Sequence, residues 1–389
     1  MKSKFPLRQF EKVDTPFYYY DIDLLKRTLA EIINETSKHE NYCVHYAVKA
    51  NANPEILSVI CSYGLGADCV SGGEIMAAIH AGFSPDKIVF AGVGKSDKEI
   101  IIGLDNDILC FNVESEPELE VINHLASIKG KRARVAFRIN PNIGAHTLAN
   151  ITTGLAENKF GIAMSDMIRL IEKAQQMPNI EFTGLHFHIG SQITDMDDFK
   201  HLCIRINELQ DLLSYKGITV DNINVGGGLG IDYDNPDHEP IPDFKSYFDT
   251  YSNNLNLRSG QKLHFELGRS VVGQCGSLIS HVLYVKQGTY KRFVILDAGM
   301  SDLIRPALYQ AHHAVDDLSS SGPQNTYDVV GPVCESSDVF AKGILLNECH
   351  RGDIVAIRSA GAYGEIMASH YNCRPLPKGY TSDDLSRMS

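Results

Sequence analysis

Four short stretches carry side chains able to do chemistry, and each stands where an apolar run gives out. In HYAVKANANPE, residues 45–55, a run suited to a buried strand ends on Lys49 and passes at once into Asn51, Asn53 and Pro54. HFHIGSQ (186–192) offers His186, His188 and Ser191. VGGGLG (225–230) offers Gly226, Gly227 and Gly228, and FELGR (265–269) offers Glu266 and Arg269. A fifth run, Leu65–Val70, contains Asp68.

A lysine at a strand end is ordinarily a snorkelling side chain or half of an ion pair. Desolvation changes that, because it lowers the amine pKa and frees the nitrogen to attack an aldehyde as a Schiff-base lysine. The glycines match a dinucleotide fingerprint only imperfectly in spacing. They suit a backbone turn closing around a phosphate. Pyridoxal phosphate supplies both the aldehyde and the phosphate. Glu266 beside its pyridine nitrogen would keep that nitrogen protonated and make the ring an electron sink; a salt bridge to Arg269 is the plainer use of the residue. His188 could lie flat on the pyridine face. Core packing or a metal site with His186 are the competing readings, and for a metal only Asp68 presents itself as a further ligand.

Such residues need a frame that brings strand ends together. Apolar runs at Tyr42–Val48, Leu65–Val70, Lys87–Val93, Ile108–Val113, Ala133–Ile139, Phe182–His188, Asn222–Val225 and Leu263–Glu266 alternate with helix-length segments. Among these segments are Pro54–Tyr63, Gly73–Ala81, Ser96–Leu104, Glu116–Ser127, Ser165–Met177 and Asp197–Tyr215. Asp23, Ser71, Ser84, Ser115 and Ser165 stand where N-caps belong. Eight evenly spaced strands predict a (β/α)8 barrel over residues 22–266, with chemistry at the C-terminal strand ends; an open doubly wound sheet is the alternative. After residue 266 β-branched runs broken by glycines, such as RFVILDAG and DIVAIRSAGAYG, predict an antiparallel β-domain. TPFYYYDI near the start reads as one of its strands, so residues 1–21 and 267–389 would form a domain into which the barrel is inserted.

The bulk numbers narrow the class. The chain has 389 residues, 43% of them hydrophobic and 22% charged, with a net charge of −12, which argues against a nucleic-acid surface. Nine cysteines without CxxC pairs read as reduced thiols, and neither an apolar leader nor a membrane-length apolar run is evident. The expectation is a soluble, cytoplasmic protein.

YAVKAN, HFHIGSQ, VGGGLG, FELGR, GPVCESSDVFA and GAYG occur in this order across nearly the whole chain. Together they resemble the alanine-racemase-like, fold-type III pyridoxal-phosphate decarboxylases, most closely the members that convert meso-2,6-diaminopimelate to L-lysine and CO2. The resemblance implies a barrel with a β-domain partner and a head-to-tail homodimer whose active sites lie at the subunit interface. It implies that Lys49 carries the cofactor and that His188 stacks on it. Ser191, Gly226, Gly227, Gly228 and Tyr363 would hold the phosphate, Glu266 the pyridine nitrogen, and Asp68 would support cofactor and histidine. Arg269, Arg305, Tyr309 and Glu335 match the substrate-binding set, and Cys334 the proton-donating thiol supplied by the other subunit. The family's Glu-Pro-Gly-Arg motif has Leu267 here in place of proline. Decarboxylation of ornithine, lysine or arginine is the alternative within the family. A metal-dependent barrel hydrolase and a non-catalytic pyridoxal-phosphate-binding homologue are the alternatives outside its activity.

Overall fold

The computed structural model describes residues 5–142 and 159–388. By contact the chain divides into two units, one comprising Leu29–Gly230 and Asp243–Gly268, the other Met1–Thr28, Ile231–Pro242 and Arg269–Ser389.

The first unit is built on eight parallel strands: Tyr42–Ala47, Gly66–Cys69, Ile88–Phe90, Cys110–Val113, Ala133–Asn140, Ile180–His186, Asn222–Asn224 and Lys262–Leu267. Each pairs with its neighbours in chain order, and the eighth pairs back onto the first, Glu266 opposite His45, so the sheet closes into a barrel. All eight are strands expected from the sequence. A two-residue strand, Ile162–Ala163, adds to the fifth. Helices Pro54–Ser62, Gly72–His80, Asp97–Asp105, Glu116–Ile128, Met164–Gln176 and Met196–Tyr215 fall on the helical segments.

Their starts follow ordinary capping chemistry. Asn53, Ser71, Ser115 and Asp195 each accept a backbone N–H of the first turn. Three expected caps are displaced. Helix Ile22–Thr36 is capped by Asp21, which accepts from Leu24, with Asp23 inside its first turn. Ser84 precedes only a single 3-10 turn and makes no cap bond. Ser165 lies one residue inside a helix whose cap position is Ala163.

Strand alternation decides what faces the barrel interior. On the eighth strand Phe265 packs on Tyr247, Phe248 and Tyr251 of helix Phe244–Asn254, with ring centroids 4.9–5.8 Å away. Its neighbours His264 and Glu266 therefore project to the opposite, inner side. Leu267, where the family's proline would stand, is fully buried and continues the strand opposite Tyr46.

The second unit is an eight-stranded, mostly antiparallel sheet. It contains Gly276–Gln287, Arg292–Leu296, Val315–Asp317, Gln324–Val330, Val339–Asn347, Ile354–Ile357, Phe17–Tyr20 and Lys378–Thr381. The N-terminal strand Phe17–Tyr20 joins it as expected, antiparallel to Gly276–Gln287 and parallel to Lys378–Thr381. Phe10, Phe17, Tyr19, Ile279, Ile354, Ala356 and Leu385 form one of its core clusters. Among the described residues no helix is long and apolar enough to cross a membrane.

Candidate active site

Inside the barrel the Glu266 carboxylate is the point on which neighbouring strands converge. Asn112 and Asn224 donate their side-chain amides to its Oε1, at 3.2 and 2.7 Å, and His186 Nε2 lies 3.1 Å from Oε2. Asn224 cannot turn its amide round, because its Oδ1 accepts the Gly226 N–H at 2.9 Å. Burial alone would raise the Glu266 carboxyl, but His186, Lys49 and His188 together hold it well below the usual carboxylate range. A buried acid is thus kept ionised.

Lys49 does not end the first strand. That strand stops at Ala47, and Lys49 stands in the 3-10 turn Val48–Ala50 that follows. Its side chain is 39% exposed, not desolvated as the strand reading required, and Nζ is 3.5 Å from Oδ2 of fully buried Asp68. Burial and the nearby Glu266 push the Asp68 carboxyl up to about 8, against the pull of Lys49. Two acids thus share one charged neighbourhood, and only one of them keeps an ordinary negative charge at neutral pH.

The sixth strand ends at His186, so His186 and His188 are not neighbours on one strand face. His188 lies in the loop beyond, where its Nδ1 accepts the Gly227 N–H at 3.4 Å. Burial, with Arg138 and Lys49 close by, lowers its pKa well below the ordinary value, which leaves the ring neutral. Among the described residues no group of three or more His, Cys, Asp or Glu could hold a metal. His186 is engaged with Glu266.

The glycines are demanded by close approach. A Cβ on Gly227 would stand 1.8 Å from the Glu266 carbonyl oxygen. One on Gly226 would stand 2.5 Å from the Phe187 carbonyl oxygen, and Gly226 has φ +69° besides. Ser191 belongs to a loop tied to this turn through Ile193 N–H to Gly228 O and Gly230 N–H to Ile193 O, at 2.9 and 2.8 Å. An ionised carboxylate, a neutral imidazole, a lysine and a side-chain-free backbone turn that a Cβ would fill make a donor set that fits pyridoxal phosphate.

The second unit gathers the remaining polar residues around Tyr233. Arg269 Nη1 donates to the Tyr233 hydroxyl at 2.5 Å, and the Arg305 guanidinium lies over the same ring, 5.4 Å from its centroid. Arg269 also lies 5.0 Å from the ring centroid of Tyr363, a residue with φ +57° in the loop after strand Ile354–Ile357. Both arginines are buried. Arg305 and Tyr309 bound one short helix, Arg305–Tyr309, and Tyr309 is within electrostatic reach of both arginines.

Cys334 and Glu335 stand elsewhere in this unit, on an exposed turn. Glu335 accepts from Tyr371 and Ser337, neither of which belongs to the Tyr233 cluster. Buried Asp338 holds the turn in shape by accepting the N–H groups of Val333 and Met300, each at 2.7 Å.

Several contributors escaped the sequence reading. Asn112 and Asn224 were visible as polar residues in otherwise apolar strands, in FNVE and NINVGGG. Arg138, paired through Nη1 with Glu114 at 3.0 Å, left a similar trace. Tyr233 and His313 left none, since nothing in spacing links them to Arg305.

Known proteins resemble this chain along nearly its whole length. The model of the pyridoxal-dependent decarboxylase family, pyridoxal binding domain, matches residues 25–273. Diaminopimelate decarboxylase of Bacteroides thetaiotaomicron is 66% identical over 99% of this chain and 100% of its own length. The Helicobacter pylori (strain J99) diaminopimelate decarboxylase is 44% identical, covering 94% of this chain and 90% of its own. A crystal structure of diaminopimelate decarboxylase from Helicobacter pylori complexed with L-lysine superposes with a TM-score of 0.91 at 40% identity, covering 98% of each chain. The chain belongs to the pyridoxal-dependent decarboxylases and, within them, to the diaminopimelate decarboxylase family.

Proposed function

We propose that this chain removes CO2 from meso-2,6-diaminopimelate to give L-lysine, with pyridoxal phosphate as cofactor and two copies of the chain forming the working unit. The observation that carries the choice of substrate is the pair of buried arginines, Arg269 and Arg305, gathered on Tyr233. Diaminopimelate has a second carboxylate that ornithine, lysine and arginine lack at their distal end, and a guanidinium matches a carboxylate with paired hydrogen bonds. A site for the simpler substrates would place an acid there instead.

When bound, pyridoxal phosphate supplies an aldehyde for amines and a ring that takes up the electron pair released with CO2. Lys49 Nζ would hold it covalently and give way to the substrate amine. Glu266, kept ionised by His186, Lys49 and His188, would hold a proton on the ring nitrogen. His188, neutral, would lie against the ring and exclude water from that face, with Asp68 supporting it. Ser191, Gly226 to Gly228 and Tyr363 would bind the phosphate. Arg269, Arg305 and Tyr309 would bind the distal carboxylate, and Glu335 the distal ammonium. The Cys334 thiol, or a water it positions, would return a proton to the carbon that lost CO2. Exposure of Cys334 and Glu335 on their turn supports their acting on the site of a second copy.

The test is release of 14CO2 from labelled diaminopimelate compared with labelled lysine, ornithine and arginine. Preference for diaminopimelate is the expected result, and preference for any of the others overturns the reading.

A further inference from the structure

His313 is fully buried, eight residues beyond Arg305, and neither its spacing nor its surroundings in sequence marks it. Its Nδ1 stands 2.8 Å from the Arg358 carbonyl oxygen. A carbonyl only accepts, so Nδ1 carries the hydrogen and Nε2 presents a lone pair. That lone pair receives the Nε–H of Arg305 at 3.2 Å. The carbonyl is itself held firmly: the Arg358 guanidinium pairs with Asp237 at 2.8 Å and with Asp316, and the Arg358 N–H donates to Ala314 O at 2.8 Å. Tyr233 completes the clamp, meeting the His313 ring edge to face at 5.1 Å while Arg305 lies over its own ring.

An arginine can grip a carboxylate side-on, through Nε and one terminal nitrogen, or end-on, through Nη1 and Nη2. We propose that His313 is a positioning residue for substrate choice: by taking the Nε–H of Arg305 it leaves only the end-on edge of the guanidinium for a substrate carboxylate. The inference rests on the assignment of Arg305 to the distal carboxylate of diaminopimelate. It adds that the grip is set by a buried imidazole, not by Arg305 alone. Protonation would be self-defeating, since an imidazolium has no lone pair for Arg305 and repels it. Burial and Arg305 accordingly depress the His313 pKa to about 3.

The test uses the cofactor-loaded enzyme and two variants. His313→Phe keeps an aromatic ring against Tyr233 but has no acceptor. In His313→Gln the amide oxygen can accept from Arg305 while the amide nitrogen donates to the Arg358 carbonyl. Bound as the product, L-lysine keeps the carboxylate that was distal to the reacting carbon of diaminopimelate, and cadaverine has none, so their inhibition constants separate carboxylate grip from general disorder. In His313→Phe the KM for diaminopimelate and the inhibition constant for lysine should both rise about tenfold or more, the usual weight of one hydrogen bond to a charged group. The kcat and the inhibition constant for cadaverine should stay within about threefold, and His313→Gln should restore lysine binding to the same margin. Unchanged lysine binding in His313→Phe overturns the proposal, and so does equal loss of lysine and cadaverine. Should His313→Phe fail to fold, His313→Leu against His313→Gln makes the same comparison. A parent enzyme that prefers ornithine or lysine as substrate would instead overturn the assignment of function, whatever the variants do.

Discussion

Glu266→Gln separates charge from shape at the centre of the barrel. Glutamine has nearly the same volume, so packing is preserved. Its amide oxygen can take the place of Oε1 and keep the bonds from Asn112 and Asn224. Its NH2 then faces His186 Nε2, which in the parent donates to Oε2. Among the described residues His186 Nδ1 has no hydrogen-bond partner, so the ring can move its hydrogen to Nδ1 and accept through Nε2. All three bonds survive, and the folding stability of Glu266→Gln should lie within about 1 kcal/mol of the parent. What disappears is the negative charge that would keep the cofactor nitrogen protonated. Removing a preorganised electrostatic partner of this kind costs about 3–4 kcal/mol of barrier, or roughly 10²–10³ in kcat. The assay is CO2 release at saturating substrate, with cofactor occupancy read from its absorbance and stability from thermal unfolding. Turnover within about tenfold of the parent, at full occupancy and unchanged stability, would refute the role assigned to Glu266. Glu266→Ala is the contrasting control: it leaves three buried donors unpaired, each at about 1–3 kcal/mol, so its loss of activity should come with loss of stability.

Lys49→Ala and Cys334→Ala should each be inactive alone, and mixing them under conditions of subunit exchange should recover activity through hybrid dimers with one intact site; exchange without recovery would sink the shared-site proposal. Gly227→Ala should abolish cofactor binding, because its Cβ would sit 1.8 Å from the Glu266 carbonyl oxygen and must displace the eighth strand; a variant that binds cofactor with parental affinity contradicts this packing. Asp68 has its pKa raised to about 8 by burial and by Glu266, so the folded chain holds a proton that the unfolded chain releases from roughly pH 4 upward. Its contribution to stability is therefore full below that range and lost as pH rises through 8. Asp68→Asn should flatten the fall in Tm of the cofactor-free protein between about pH 5 and 8, and an unchanged slope would show that Asp68 does not titrate there.

The barrel was legible in the sequence because each of its strands is a local signal. A short apolar run followed by an amphipathic segment of helical length specifies strand and helix without reference to the rest of the chain, and eight strands, each separated from the next by such a segment, leave few ways to close a sheet. The strand Phe17–Tyr20, far from its sheet partners in sequence, could also be assigned, since FYYY is so strongly β-forming. Residue types just after apolar runs suggested the chemistry, because a lysine, a histidine and a glutamate there are not what core packing alone selects. The environment of each group was a different matter. Whether Lys49 is desolvated depends on how the chain turns after Ala47, and it turns so as to leave the amine partly in water. Whether Glu266 is ionised depends on His186, Lys49 and His188, which come from distant parts of the chain and reach it only when the barrel closes. The caps misplaced at Asp23 and Ser165 each differ from the true ones by two residues, a distance at which local pattern has no resolving power. Of Arg305 the sequence determined that a cation was present; only tertiary structure decided which of its nitrogens are available, by bringing the carbonyl of Arg358 and the ring of His313 behind it. Hydrogen bonds of that kind are made between residues that no periodicity connects, and so they are decided by the fold alone.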